Sequence, residues 1–320
     1  MTRLAKDAPP SVADGAAPHW GSRDTAQHDV PALSRSTVDR DGTARSDDAG
    51  LEAAWQQARV LVVEDGEVRL EGPALHFVDP GQAPDGERLY LGRDDDGPVF
   101  AVAGPLPPGA GKRVTLRDVG ARLPARDAGL LSHAVGLVNW HATHPRCARC
   151  GEPTTVARGG AERHCPQGHT HHPRTDPAVI VLVTDGGDRC VLGRQPVWPE
   201  RRFSALAGFV EPGESLEKAV VREAAEESGL DVRDVAYRGS QPWPFPASIM
   251  LGFWAVTDGD AEPVCRDGEL AEVAWFTREQ VRAAGAWADE GVPGLLLPPP
   301  VSIAWKLITD WADAEVHTGR

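Results

Sequence analysis

Short apolar runs alternate with polar turns along residues 51–124, where 59–63, 69–70, 88–91 and 98–102 are separated by Gly, Asp and Pro. Such a pattern predicts a β-rich domain. The period then changes: Leu130, Leu131, Ala134, Leu137, Val138 and His141 recur at helical spacing, predicting an amphipathic helix over about 127–142 that ends near Trp140. Further on, Pro177-Ala-Val-Ile-Val-Leu-Val183 is an uninterrupted apolar run bounded by Pro and by Asp185-Gly-Gly, which predicts a core strand with 189–193 as its hairpin mate. Residues 203–210 lead through Glu211-Pro-Gly-Glu214 into a helix over 215–228. More strands are expected at 250–256 and 273–276, and a closing helix at 301–311 after Pro298-Pro-Pro300. No fixed-period repeat is present, although two β-containing units of similar size suggest an old duplication.

The chain has 320 residues, enough for at least two domains. Residues 1–48 are rich in Ala, Asp, Arg, Ser and Pro and lack a secretory apolar core, so they read as a disordered tail and the compartment as the cytoplasm. No apolar run is long enough to cross a bilayer, so no membrane partner is expected. A formal charge of −14 opposes general attraction to nucleic-acid backbone. Of five cysteines, Cys147, Cys150 and Cys165 fall in one short stretch, which suits a reduced compartment with a metal knuckle better than a disulfide framework.

On the helix over 215–228, Glu223, Glu226 and Glu227 stand at i, i+3 and i+4 and therefore share a face. Three like charges side by side call for a counter-charge, most simply Mg²⁺ or Mn²⁺ with hard oxygen ligands. A merely solvated glutamate face is the other reading, and the neighbouring fixed residues decide against it. Gly208, Glu214, Arg222, Glu223, Glu226, Glu227 and Gly229, with aliphatic Ala224 and Leu230, fit one spaced pattern whose chance occurrence is about 10⁻⁸ per start position. Gly208 and Gly213 allow a loop to turn closely beneath a phosphate, Glu214 and Arg222 can pair, and Ser215 is placed as N-cap.

This pattern resembles the Nudix box. The resemblance implies that Glu223, Glu226 and Glu227 hold divalent ions across a diphosphate, with Glu227 also orienting the attacking water. A second segment, Ser240-Gln-Pro-Trp-Pro-Phe-Pro-Ala-Ser248, resembles the SQPWPFPxS signature of the NADH pyrophosphatase (NudC-like) branch, and the likeness extends over about 140–308. Prolines alternating with Trp243 and Phe245 would present aromatic surface rigidly. By resemblance, Phe209 and Ser248 help hold a nucleotide end, Glu269 contributes to the metal site, Ala304 contacts substrate, and Gln241, Trp243 and Phe245 line the substrate site. A base stacked on Phe209 is physically reasonable, since ring faces accept any base; a core Phe would look the same.

Cys147-Ala-Arg-Cys150 has zinc-knuckle spacing and Cys165 begins a second knuckle. The branch has a fourth cysteine that is missing here; His169, His171 and His172 follow instead, with His169 preferred as fourth ligand over His171. A ribbon without zinc, held by packing alone, is the competing reading. His172 stands where the branch has an aromatic that reaches substrate from a neighbouring subunit, which puts that contact in doubt.

The resemblance thus implies an α/β (α+β) fold: a Nudix α/β/α sandwich with a mixed sheet over 176–320, a zinc ribbon over 144–175, and a β-rich N-terminal domain over 49–143. The implied enzyme is a homodimeric NAD(H) diphosphatase that yields AMP and nicotinamide mononucleotide from NADH or NAD⁺, with removal of NAD caps from RNA 5′ ends as a second activity. Two alternatives stand beside it. One is a Nudix hydrolase acting mainly on another nucleoside diphosphate derivative such as ADP-ribose; the other is a non-catalytic nucleotide-binding zinc-ribbon protein, which would require broken glutamates.

Overall fold

The computed structural model describes residues 30–109, 111–266, 268–289, 291 and 293–314. The first unit opens with α1 (Asp48–Trp55), capped by the Asp47 side chain. Strands β1 (Arg59–Val63), β2 (Glu67–Glu71), β3 (Ala74–Leu75), β4 (Leu89–Asp94), β5 (Gly97–Ala103) and β6 (Lys112–Thr115) follow, then α2 (Leu116–Val119) and the long α3 (Ala125–Thr143). The strands form two three-stranded sheets, ordered β1-β5-β4 and β3-β2-β6. Alternation decides what each face covers: Leu61, Val63, Leu89 and Val99 pack on Leu130, Leu131 and Ala134 of α3, whereas Val60, Val62, Tyr90 and Phe100 pack on Trp55 of α1. Asp127, fully buried in the first turn of α3, accepts from the Leu75 N–H and from Arg126, which is how a carboxylate is tolerated there.

A small sheet of β7 (Thr155–Ala157), β8 (Glu162–His164) and β9 (Thr170–His171) follows α3. It is fastened to the first unit by the buried Arg163, which donates to Thr154, Glu87 and the His141 ring.

The second unit contains β10 (Asp176–Thr184), β11 (Arg189–Arg194), β12 (Leu206–Phe209), α4 (Leu216–Ser228), β13 (Arg233–Trp243), β14 (Ser248–Val256), β15 (Glu272–Thr277), α5 (Arg278–Arg282) and α6 (Ile303–Asp313). Its mixed sheet runs β13-β14-β10-β11-β15, with β12 also on β10. The apolar run in β10 is explained by burial of both faces: Val179, Val181 and Val183 meet Ala219, Val220 and Ala224 of α4, while Ile180 and Leu182 meet Leu307 and Ile308 of α6. This is the expected α/β/α sandwich.

One edge of β10 is forked. Residues 178–181 pair with β12, but Val183 and Thr184 pair with β11, and the sheet opens between the two. The Ser240–Ser248 segment differs from the free aromatic run expected of it. Its first part is the end of β13, an edge strand, where Pro242 does not break a ladder. Its rings pack back onto the first unit's core, with Arg117 of α2 4.2 Å from the centre of Phe245 and 5.3 Å from that of Trp243.

The expectation of a structureless tail over 1–48 divides. Residues 1–29 lie outside the described residues, but from Val30 onward the chain is docked. Leu33 is 1% exposed and fills the space above Gly120, where a Cβ would lie 2.6 Å from the Leu33 side chain. Ser34 Oγ donates to the Ser240 carbonyl at 2.6 Å, and the Arg35 guanidinium donates to the carbonyls of Gly120, Ala121 and Leu123. Ser36 lies against Gly129 so closely that a Cβ there would be 2.3 Å from its hydroxyl. Specific bonds and one apolar anchor thus outweigh a disorder-prone composition. No helix among the described residues is long and apolar enough to cross a membrane. Leu33→Ala should lower stability by about 2–4 kcal/mol, read as a shift of the urea midpoint; a change of the size seen for a surface substitution would refute the docking.

Candidate active site

Ser215 caps α4 by accepting from the Lys218 N–H, and Gly229 ends it in the left-handed conformation at φ 70°. Between these ends, apolar Ala219, Val220 and Ala224 fix which face meets the sheet, and so where the glutamates point. Glu223 and Glu227 are buried and Glu226 is exposed.

Arg222 organises this face. Its Nε and Nη2 donate to the two oxygens of Glu214, both at 2.9 Å, tying the preceding loop to the helix as the sequence suggests. Nη1 donates to Glu223 at 2.7 Å and Glu226 at 2.9 Å, and Nη2 also reaches the Phe209 carbonyl at 2.9 Å. Four bonds to three carboxylates hold the guanidinium proton more tightly than usual, the Glu214 bonds contributing most. The same bonds hold the Glu214 carboxyl below the ordinary range. Glu223 moves the other way: burial raises its pKa, Arg222 opposes the rise, and the charges of Glu226 and Glu269 add to it. Glu269 is therefore electrostatically part of the group, although it is exposed.

Gly208 has a reason different from the expected phosphate turn. A Cβ on Gly208 would lie 2.0 Å from the Glu223 carboxylate, so glycine is required for the carboxylate to lie over β12. Gly213, at φ 89°, does make the expected loop turn. Glu227 lies one turn on, where its Oε2 accepts from the Ala207 N–H at 3.0 Å.

Glu227 also lines a cleft of about 380 Å³ at the fork of the sheet. Of the expected substrate residues, Trp243 and Ala304 line it as well. The others lie elsewhere. Gln241 is fully buried and donates to the Val301 carbonyl at 2.8 Å. Phe245 packs beside Trp243 and Arg117. Phe209 is 60% exposed on β12, and Ser248 lines a second cavity. Trp198 and Trp287, with ring centres 4.7 Å apart, and Arg117 also line the cleft. Sequence reasoning missed these three, because two isolated tryptophans in loops and one arginine on the short α2 carry no local pattern.

The donor set fits a hard divalent cation. One guanidinium faces three carboxylates, leaving excess negative charge, and the buried Glu223 resists ionisation unless further positive charge is near. Among the described residues the glutamate oxygens do not draw together as closely as the Cys147, Cys150, Cys165 and His169 ligand atoms, all within 4.8 Å of one another.

That second group is a Cys₃His set with soft donors suited to zinc. The Arg149 N–H points at Cys147 Sγ and the Gln167 N–H at Cys165 Sγ, each at 3.4 Å. Burial raises the Cys147 pKa, but the backbone N–H groups and His171 outweigh it and bring it to about 5. His169 completes the set, as preferred from sequence, while His171 Nε2 contacts Cys147 Sγ at 3.1 Å.

The NUDIX domain family matches residues 174–293, and the NADH pyrophosphatase-like rudimentary NUDIX domain family matches residues 50–140. The NAD-capped RNA hydrolase NudC of Mycobacterium bovis (strain BCG / Pasteur 1173P2) is 47% identical over 304 residues, covering 89% of this chain and 96% of that protein. The mitochondrial NAD(P)H pyrophosphatase NUDT13 of Homo sapiens is 40% identical over 214 residues, covering 64% of this chain and 60% of that one. A crystal structure of a NUDIX hydrolase from Nitrosomonas europaea aligns with a TM-score of 0.41 at 18% identity, over 54% of this chain and 93% of that one. With its glutamate helix, its Ser240–Ser248 segment and near full-length relatives at this identity, the chain belongs to the Nudix hydrolase family, in its NADH pyrophosphatase (NudC-like) branch.

Proposed function

We propose that this chain hydrolyses the pyrophosphate bond of NAD(H), releasing AMP and nicotinamide mononucleotide, and removes NAD caps from the 5′ ends of RNA. The observation that carries this reading is the placement of Glu227, buried beside the Glu223 and Glu226 face and opening on an aromatic cleft at the sheet fork. The names of the relatives, a NAD-capped RNA hydrolase and a NAD(P)H pyrophosphatase, support the substrate.

In this reading Glu223, Glu226 and Glu227, with Glu269 nearby, would hold Mg²⁺ or Mn²⁺. When bound, such ions neutralise diphosphate charge and acidify water. Arg222, donating from Nη1 to both, holds Glu223 and Glu226 together despite their repulsion. The Ala207 N–H donates to one oxygen of Glu227, the group that would orient water and accept its proton. Trp243, Trp198 and Trp287 offer ring faces for a base, Ala304 leaves room at the start of α6, and exposed Phe209 supplies a further face beside the glutamates. Zinc on Cys147, Cys150, Cys165 and His169 would be structural, since four protein ligands leave no open position. A cytoplasmic homodimer completes the reading.

The direct test is incubation of the pure chain with NADH and Mg²⁺ or Mn²⁺, followed by chromatography. AMP and reduced mononucleotide are expected, and intact NADH sinks the proposal. Glu227→Gln should lower kcat by about 10²–10⁴-fold while binding persists; a variant of normal rate would remove Glu227 from its role. Gly208→Ala should push the Glu223 carboxylate off β12 and cost about 100-fold in kcat, with an unchanged circular dichroism spectrum; undiminished activity would contradict the proposed need for glycine. Elemental analysis should find one zinc per chain, lost in Cys165→Ser together with a lower Tm. A zinc-free chain of equal Tm would favour a ribbon held by packing.

A further inference from the structure

A second cavity, of about 400 Å³, adjoins the cleft, and Trp243 lines both. Its basic side chains come from three separate parts of the fold: Arg40 and Arg45 from the docked N-terminal arm, His133 from α3, and Arg174 from the segment leading into β10. Arg174 is paired, its Nε donating to Asp176. Arg40 and Arg45 have no carboxylate within 4.0 Å among the described residues, and Arg45 donates only to the Arg40 carbonyl, at 3.1 Å. Asp41, next to Arg40 in sequence, is engaged by the Tyr90 hydroxyl at 2.8 Å. Arg45 Nε and His133 Nδ1 are both shut off from solvent without a partner. Buried polar atoms are rarely left so, and in a chain of charge −14 the half-buried Arg45 and the exposed Arg40 beside it, neither with a counter-ion among the described residues, mark a seat for an anion.

The electrostatics agree with the geometry. Burial first, and the Arg45 charge second, push the Arg40 pKa down. Burial, then Arg40 and Arg45, push that of His133 to about 3, so its ring is neutral. With its N–H directed at the Leu91 backbone, the ring offers Nδ1 as an acceptor. The ligand must therefore be an anion that also donates a hydrogen bond. Leu33, Leu137, Ile249 and Trp243 add apolar surface, Ser36, Ser132 and Ser248 add hydroxyls, and the volume suits a ligand of nucleotide size.

We propose that this cavity binds a ribonucleoside monophosphate unit, with phosphate on Arg40 and Arg45, a ribose hydroxyl donating to Nδ1 of His133, and the base against Trp243. The unit could be supplied free, as AMP, or as a nucleotide within an RNA chain; the recognising chemistry is the same.

The test uses the full chain without added divalent metal, titrated calorimetrically with AMP, adenosine, inorganic phosphate and a 5′-phosphorylated diribonucleotide. AMP should bind at least about tenfold more tightly than adenosine or phosphate, and Arg40→Ala/Arg45→Ala should weaken AMP by about tenfold or more. Cleavage of NADH by that variant should stay within about twofold of wild type. In the wild type, AMP should shift the ¹⁵N resonance of His133 Nδ1, a readout that decides the matter even if the variant does not fold. An unmoved resonance, an unchanged AMP affinity in a folded variant, or phosphate binding as well as AMP would overturn the proposal. A diribonucleotide that binds more tightly than AMP identifies an RNA chain as the source; equal or weaker binding identifies the free mononucleotide. NADH cleavage is scored separately, so failure of the proposed function leaves this result intact.

Discussion

The Arg222 guanidinium is the constraint on which the rest of the site depends. It bonds the loop carboxylate of Glu214, the helix carboxylates of Glu223 and Glu226, and the Phe209 carbonyl of β12. Apart from the bond from the Ala207 N–H to Glu227, helix and strand meet through apolar packing, which sets distance but not the direction of an oxygen. A planar fork with fixed donor angles sets that direction, and a lysine could not do so. The arrangement remains negative in sum, because one cation faces three anions. The face is rigid and still demands further positive charge.

Rigidity at α4 would be of little use without an opening beside it, and the opening follows from strand pairing. β10 gives its first half to β12 and its end to β11. A strand buried on both faces cannot bend away to relieve this fork, since α4 and α6 clamp it. Gly208 sits on β12 opposite Val179, two residues from the fork, where the missing side chain is replaced by the Glu223 carboxylate. Fork, glycine and buried glutamate form one packing solution.

What could be read from the chain beforehand was whatever one element decides alone. The two-faced burial of β10, the Ser215 cap, the end at Gly229 and the Arg222 pairing all lie within a single stretch of spaced residues, and local periodicity carries them. The arm from Val30 was misread because its order comes from Leu33 over Gly120 and from Ser34 on Ser240, contacts far apart in sequence. Gln241 belongs to a segment that the resemblance assigned to substrate, and it is its amide nitrogen that donates to the distant Val301 carbonyl, while its buried amide oxygen has no partner. Trp198 and Trp287 become a pair only after the loops around the fork have closed.

The same distant contacts give the N-terminal unit a role that composition could not suggest. Arg117 of α2 lines the Glu227 cleft and also covers the rings of Trp243 and Phe245, while Asn139 of α3 donates to the Pro244 carbonyl at 3.2 Å. The first unit, matched by a rudimentary version of the same domain, lacks the glutamate helix and supplies a wall instead. The Ser240–Ser248 segment is thus a joint: one end runs in the catalytic sheet as β13, and its rings are packed into the other unit's core. A joint that shares Trp243 between the cleft and the arginine-lined cavity links the positions of both, so the spacing between them is set by the packing of the two units and not by any loop.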